Sequence, residues 1–344
     1  MSEKYDVALI GATGLVGEAI VSFLAERKFP MGNFFPLASP RTAGQKVELG
    51  GKYHTVKDVA EFDFSQVKMA VFCAGDVVSA EYVPKATAAG CIVVDTSSQF
   101  VDEDDVPLVI PEVNPEAIAD FCQTAERRNI IASPDSATIQ MLVALKPIQD
   151  AVGIDRINVV SYQAATAFGK AGMSELASQT IALLNMQEVK KEVFPQQIAF
   201  NVLPLADTVE ENGYLSCEMK MVRASQKILA DDDIVISPTT VQAPVFFGHS
   251  QALSIEMRAK LGADEARELL RQAPSVEVMN DGEKGSGPTA VTEAAGQDAV
   301  FVGRIRDDIS DPYGLSLWVV ADNVRRGAAL NSVQILELLV KVGV

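Results

Sequence analysis

The chain has 344 residues, with 29 basic side chains against 46 acidic ones, a formal net charge of −17. Hydrophobic residues make up 48% and aromatics 6%, too apolar for a disordered chain and enough for two domains with large cores. A strongly acidic surface repels phosphate, which argues against nucleic acid as a partner; no apolar run is long enough to cross a membrane and no signal peptide is read, so a cytoplasmic protein is expected.

In chain order, Tyr5 to Ile10 is a short β-rich run, followed by Gly11-Ala-Thr-Gly14-Leu-Val-Gly17 and a helix from Glu18 to Lys28. Further strands are predicted at Phe34 to Ala38, Met69 to Cys73 (ending in Ala74-Gly75) and Cys91 to Asp95, with a helix at Glu81 to Ala89. Strands alternating with helices predict a parallel α/β sheet. Residues 107–114 carry two prolines and read as an edge strand or connector. A helix is expected from Asp135 or Ser136 to about Asp150, then a strand at Arg156 to Gln163, a Gly/Ala-rich loop over 164–174 and a helix from Ser174. Asn201 to Leu205, Asp233 to Gln242, His249 to Met257, Ala299 to Arg306 and Leu315 to Ala321 are strand candidates. Their alternation suits an antiparallel sheet with one face left for a partner. Asn280 to Thr289 reads as a surface loop, and the tail from Asn323 as an apolar helix.

A glycine-rich turn between a first strand and a helix is a dinucleotide-binding signature. The glycines let backbone approach a pyrophosphate, and the helix N-terminus supplies NH groups and a positive dipole end. Gly11, Thr13, Gly14, Leu15, Val16 and Gly17 are the candidate contacts, with Gly75 at the end of the third strand. An NAD enzyme usually ends its second strand with Asp or Glu; Ser39, Arg41 and Thr42 instead offer a cation and two hydroxyls, which suits the 2′-phosphate of NADP. The four cysteines, Cys73, Cys91, Cys122 and Cys217, have no C-x-x-C pairing, and with only His54 and His249 beside them no metal site is expected. Ser136 at a helix start could be an activated nucleophile, or Asp135 or Ser136 a simple N-cap. His249 could be catalytic or a partly buried core histidine.

Several motifs together carry a family resemblance: Gly11-Ala-Thr-Gly-Leu-Val-Gly17, Ala38-Ser-Pro-Arg-Thr-Ala-Gly44, Ile110-Pro-Glu-Val-Asn114, Ala137-Thr-Ile-Gln-Met141, Ser161-Tyr-Gln-Ala164, Asn212-Gly-Tyr214, Glu218-Met-Lys-Met-Val222, Val245-Phe-Phe-Gly-His-Ser250, Leu317-Trp-Val-Val-Ala-Asp-Asn323 and Gly327-Ala-Ala-Leu-Asn-Ser-Val-Gln334. Along nearly its whole length the sequence resembles the aspartate-β-semialdehyde dehydrogenase family. The resemblance implies a Rossmann domain over 1–132, completed by a C-terminal helix in 323–344, plus a mixed α/β dimerisation domain over 133–322, paired as a homodimer. It implies NADP-linked, phosphate-dependent oxidation of an aldehyde through a cysteine nucleophile and a proton-shuttling histidine. It adds Asn331 and Gln334 as cofactor contacts.

The resemblance also marks departures. The nucleophile position is Ser136, preceded by Asp135. Gln163 and His249 match the orienting glutamine and the histidine, and Lys220 is kept. The arginine for the incoming phosphate is replaced by Val101, the arginine for the substrate carboxylate by Gln242, and the acid for the substrate amine by Cys217. This pattern resembles the Usg-type paralogues, which lack the cysteine. Native semialdehyde oxidation is therefore expected to be lost or vestigial. Left open are a nucleotide-binding protein without catalysis, an NADP-dependent oxidoreductase acting on a different, less anionic aldehyde, and a serine-acyl enzyme built on Ser136. The small molecule is not identified.

Overall fold

The computed structural model describes residues 4–124, 127–204, 207–279 and 287–344. It divides into two compact units, Met1–Asp135 with Ala328–Val344, and Ser136–Gly327. The divisions fall a few residues after the sequence-based boundaries at 132/133 and 322/323.

In the first unit, β1 (Tyr5–Ile10), α1 (Leu15–Glu26), β2 (Met31–Ala38), the hairpin β3 (Lys46–Leu49) and β4 (Lys52–Thr55), β5 (Lys57–Asp58), β6 (Met69–Phe72), α2 (Asp76–Ala88), β7 (Ile92–Asp95), α3 (Glu116–Gln123) and β8 (Ile130–Ala132) follow in order. Six strands pair in parallel as β5-β2-β1-β6-β7-β8. Residues 107–114 form no strand; they connect, touching the sheet only at the Leu108–Ala132 bridge. Their proline NH groups are missing, so a ladder cannot form there. The first helix begins three residues earlier than its apolar spacing suggested, at Leu15, because the glycine turn delivers the chain directly into it. α2 likewise begins at Asp76 and carries Pro84 inside it.

The second unit holds α4 (Ser136–Val152), β9 (Ile154–Gln163), α5 (Gly169–Leu184), α6 (Ser216–Leu229), β10 (Val235–Gln242), β11 (His249–Met257), α7 (Ala263–Arg271), β12 (Val276–Val278), β13 (Val300–Asp307) and β14 (Gly314–Ala321). Its sheet runs β10-β9-β11-β14-β13-β12. It is mixed rather than antiparallel: β9–β10 and β12–β13 pair in parallel, the rest antiparallel. Residues 164–174 are not a loop but a short 3-10 turn, Ala165–Phe168, leading into α5. The expected strand at 201–205 is reduced to a single bridge, Leu203 with Gln242, and Leu205 lies outside the described residues. So does most of the loop expected at 280–289.

One face of this sheet is covered by α4, whose residues Ala137 to Leu145 are all buried. Period-two alternation puts Ser161, Thr240, Gln242, His249 and Gln251 on buried positions. The other face carries Asn158, Tyr162, Ser237, Ser254, Arg304 and Trp318 along a shallow groove of about 510 Å³. The tail from Asn323 is not one α-helix. A π-helical turn, Arg325–Leu330, precedes α8 (Asn331–Lys341). In the first unit, Val333, Leu336 and Leu339 of α8 join the core that contains Leu9, Ile20 and Phe23.

The tightest backbone approach is in the turn after β1. Gly11 has φ +93°, and a Cβ on Gly17 would collide with the Gly11 carbonyl oxygen. Gly17→Ala is therefore expected to lower stability by about 1–3 kcal/mol, as overpacking against backbone does. Urea denaturation of the variant beside the parent checks this.

Candidate active site

Ser136 is the first residue of α4, where the unsatisfied NH groups and the helix dipole favour negative charge. Gly327 packs directly on it: a Cβ there would collide with the Ser136 Cβ. β11 reaches the same turn. Gln251 donates its amide to the Ala137 carbonyl at 3.0 Å, and His249 lies two residues before it on the same buried face. The pairing Ser250–Tyr162 between β11 and β9, extended by one residue, sets His249 beside Gln163.

His249 is 1% exposed. Its Nδ1 accepts the Ala164 N–H at 3.0 Å. A neutral imidazole that accepts at Nδ1 carries its proton on Nε2, so His249 is a hydrogen-bond donor there and has no free lone pair for a base. Burial pushes its pKa down from 6.5 to about 3, so the ring stays neutral near pH 7. Asn323, absent from the sequence-based site, holds the surrounding turns. Its Oδ1 accepts the Gly248 N–H at 3.0 Å and the Thr166 hydroxyl at 3.1 Å. The position was legible only as part of the Leu317–Asn323 motif.

Gln163, Gln242 and Cys217 meet in one cavity of about 180 Å³, together with Thr240, Asp207 and Leu215. Gln242 donates to the Gln163 carbonyl at 2.7 Å. Ser136, His249 and Lys220 do not line this cavity. Cys217 sits near the start of α6, with its N–H donating to Asp207 at 2.9 Å. Thr240 and Asp207 had no sequence signal. Only the register of β10 and the approach of the 207–217 turn bring them in.

In the first unit, Gly11, Thr13, Gly14, Leu15, Val16 and Gly17 form the turn and first residues of α1, whose N-cap Gly14 makes no side-chain cap. Thr13 and Thr42 hydroxyls lie 3.2 Å apart, and Ser39 and Arg41 are exposed beyond β2. Gly75 caps α2 with φ +87°. Asn331 Oδ1 and Gln334 Oε1 are buried acceptors with no protein donor, although their amide nitrogens are occupied by Val109 and Ser133, and by Glu112. Open NH groups at α1 and unpaired acceptors on α8 fit a dinucleotide bearing a carboxamide.

The loop after β7 is held by carboxylates. Asp76 accepts the Ser98 N–H at 2.8 Å and its hydroxyl at 2.6 Å. Asp95, fully buried, accepts from Ser79 at 2.6 Å and from Ser97 at 2.5 Å. Burial holds the Asp95 carboxyl above the usual carboxylate range, and these bonds offset only part of that rise. Val101, where the resemblance expects an anion-binding arginine, is buried and its side chain offers no polar group. Burial pushes the Cys73 and Cys91 thiols up, to about 12 and about 11, which disfavours their thiolates near neutral pH. Among the described residues no group of His, Cys, Asp and Glu could hold a metal, and no helix is long and apolar enough to cross a membrane.

The neutral His249 has a linkage consequence. The unfolded chain binds a proton at this histidine below pH 6.5, while the folded chain does so only below about 3, so stability is lost as pH falls through that window. The slope from this group is about 1.4 kcal/mol per pH unit. His249→Asn, whose Oδ1 can accept the Ala164 N–H, is expected to remove that share of the slope, measured by urea titrations from pH 7 to 4.

Residues 6–121 match the description "Semialdehyde dehydrogenase, NAD binding domain" and residues 145–326 "Semialdehyde dehydrogenase, dimerisation domain". An aspartate-semialdehyde dehydrogenase of a Shewanella species is 52% identical over 341 residues, covering 99% of both chains. Aspartate-semialdehyde dehydrogenase 2 of Vibrio cholerae is 51% identical over 341 residues, again covering 99% of both. The crystal structure of aspartate semialdehyde dehydrogenase II from Vibrio cholerae complexed with ASA superposes with a TM-score of 0.96 at 50% identity, covering 100% of both chains. With both halves matched and half the residues shared end to end, this chain belongs to the aspartate-semialdehyde dehydrogenase family.

Proposed function

We propose that this chain is an NADP-binding, homodimeric member of the family, of the Usg type, in which phosphate-dependent oxidation of aspartate semialdehyde is vestigial. The observation that carries the reading is an alcohol, Ser136, at the head of α4, reached by a strand whose histidine has its Nδ1 lone pair occupied. A cysteine thiol near pKa 8.5 ionises readily at a helix start, whereas an alcohol needs a base. His249 in its Nε2–H form does not supply one.

Three further features support the reading. Gln242 and Cys217 stand where the resemblance expects the arginine for the substrate carboxylate and the acid for the substrate amine, which leaves Asp207 as the carboxylate among the described lining residues of the cavity. Val101 is buried and offers no cation, and the loop before it is pinned by the Asp76 carboxylate, whose charge disfavours an incoming phosphate. The cofactor residues are kept: bound NADP supplies the hydride acceptor, with Arg41, Ser39 and Thr42 toward its 2′-phosphate and Asn331 and Gln334 toward its carboxamide. A second reading draws on the same tautomer. Nε2–H of His249 is a donor for a carbonyl oxygen, so reduction of an uncharged aldehyde to its alcohol, with hydride from NADPH and the proton from His249, needs no nucleophile at Ser136.

Steady-state assay with aspartate semialdehyde, phosphate and NADP tests the proposal. The native chain is expected to turn over far below the ordinary range of roughly 1–1,000 per second. S136C combined with C217E and Q242R is expected to raise kcat/KM by about 100-fold or more, since each regained charge-assisted contact contributes about 1.5–3 kcal/mol. Native turnover at ordinary rates, or no NADP binding at millimolar concentration, overturns it.

A further inference from the structure

We infer that the cavity beneath Gln242 binds a small ammonium compound that carries no carboxylate or phosphate. This rests on the reading above that the family's anion grips are gone from this chain. The cavity of about 180 Å³ is lined by Gln163, Ala167, Phe168, Asp207, Leu215, Cys217, Thr240 and Gln242, and among these described residues the one charged side chain is the carboxylate of Asp207. At a water's share of about 30 Å³, it holds about six waters or a ligand of similar size.

Two observations point to a ligand with several donors. Thr240 is 6% exposed, yet its Oγ1 has no hydrogen-bond partner in the protein. Its backbone N–H is already taken by Glu218 Oε1 at 2.6 Å, so the residue is held in place while its hydroxyl is left unsatisfied. A buried hydroxyl without a partner costs about 1–3 kcal/mol, which a ligand donor would recover. Asp207 uses single oxygens toward Thr208 N–H at 2.8 Å and Cys217 N–H at 2.9 Å, and a carboxylate has about four acceptor sites. An ammonium brings three donors and a positive charge, which suits both groups. An anion would face the Asp207 charge with no lining cation to offset it. The amides of Gln163 and Gln242 and the Phe168 ring suit an uncharged remainder.

Calorimetric titration of the full chain with three probes of equal length tests this: 3-amino-1-propanol, 1,3-propanediol and 3-hydroxypropionate. The amine is expected to bind at least about tenfold more tightly than the diol, and the acid not measurably. D207N, whose Oδ1 can still accept the Cys217 N–H, is expected to remove the preference for the amine, and T240V to weaken the amine about tenfold. Should T240V fail to fold, D207N alone decides. Binding of the acid as well as the amine, no binding of the amine, or an unchanged preference in D207N overturns the inference. NADP titration and the semialdehyde assay on the same preparation are separate readouts, so a failure here is distinct from a failure of the proposed function.

Discussion

The hydrogen bond from the Ala164 N–H to His249 Nδ1 ties the end of β9 to the start of β11 at the point where the chain leaves the sheet. It is reinforced by Asn323, which binds Gly248 and Thr166 through one oxygen. Together these bonds hold the turns after β9 and before β11 against the end of β14. They also decide the chemistry. An imidazole that accepts at one nitrogen must present a proton at the other. The same bond that ties the two strands therefore makes His249 a donor at Nε2, which the proposed function takes as the lack of a base for Ser136.

The substitutions around this donor form a coherent set. The alcohol at Ser136 is a weak nucleophile without a base. In the proposed reading, Gln242 and Val101 stand where the family resemblance expects cations for an anionic substrate and phosphate. Asp76 and Asp95 hold the Ser97–Ser98 turn through hydrogen bonds to Ser98 and Ser97. The glycine turn, the exposed Arg41 and the unpaired acceptors of Asn331 and Gln334 preserve a place for a nucleotide. The proposed reading is thus one of a kept cofactor end and an altered acyl end.

Much of this was legible in the sequence, and the reasons differ by element. The turn after β1 was readable because only glycine tolerates the φ of Gly11 and the contact at Gly17. The limits of β11 were readable from alternation, since one face is covered by α4 and the other is open. Parallel pairing of β9 with β10 was not, because register and direction are set by where the α5–α6 excursion returns, not by local pattern. The Gly/Ala stretch over 164–174 read as loop because Gly169 and Gly172 lower helix propensity, yet Gly172 allows close packing on Ala165 and Phe194 and the helix forms. Ser136 and His249 were candidates from the residues themselves, and the resemblance supplied their expected roles together with Gln163. Thr240 and Asp207 were not, since a threonine in a strand and an aspartate in a turn are locally unremarkable residues.

The central claim is that Ser136 does not act as an acyl-accepting nucleophile. Intact-mass analysis of the protein incubated with NADP and aspartate semialdehyde, without phosphate, tests it most directly, because an acyl intermediate would then have no acceptor but water. The account predicts no aspartyl adduct on the chain, and no NADPH beyond the level seen without enzyme. An aspartyl ester mapped to Ser136 would contradict it.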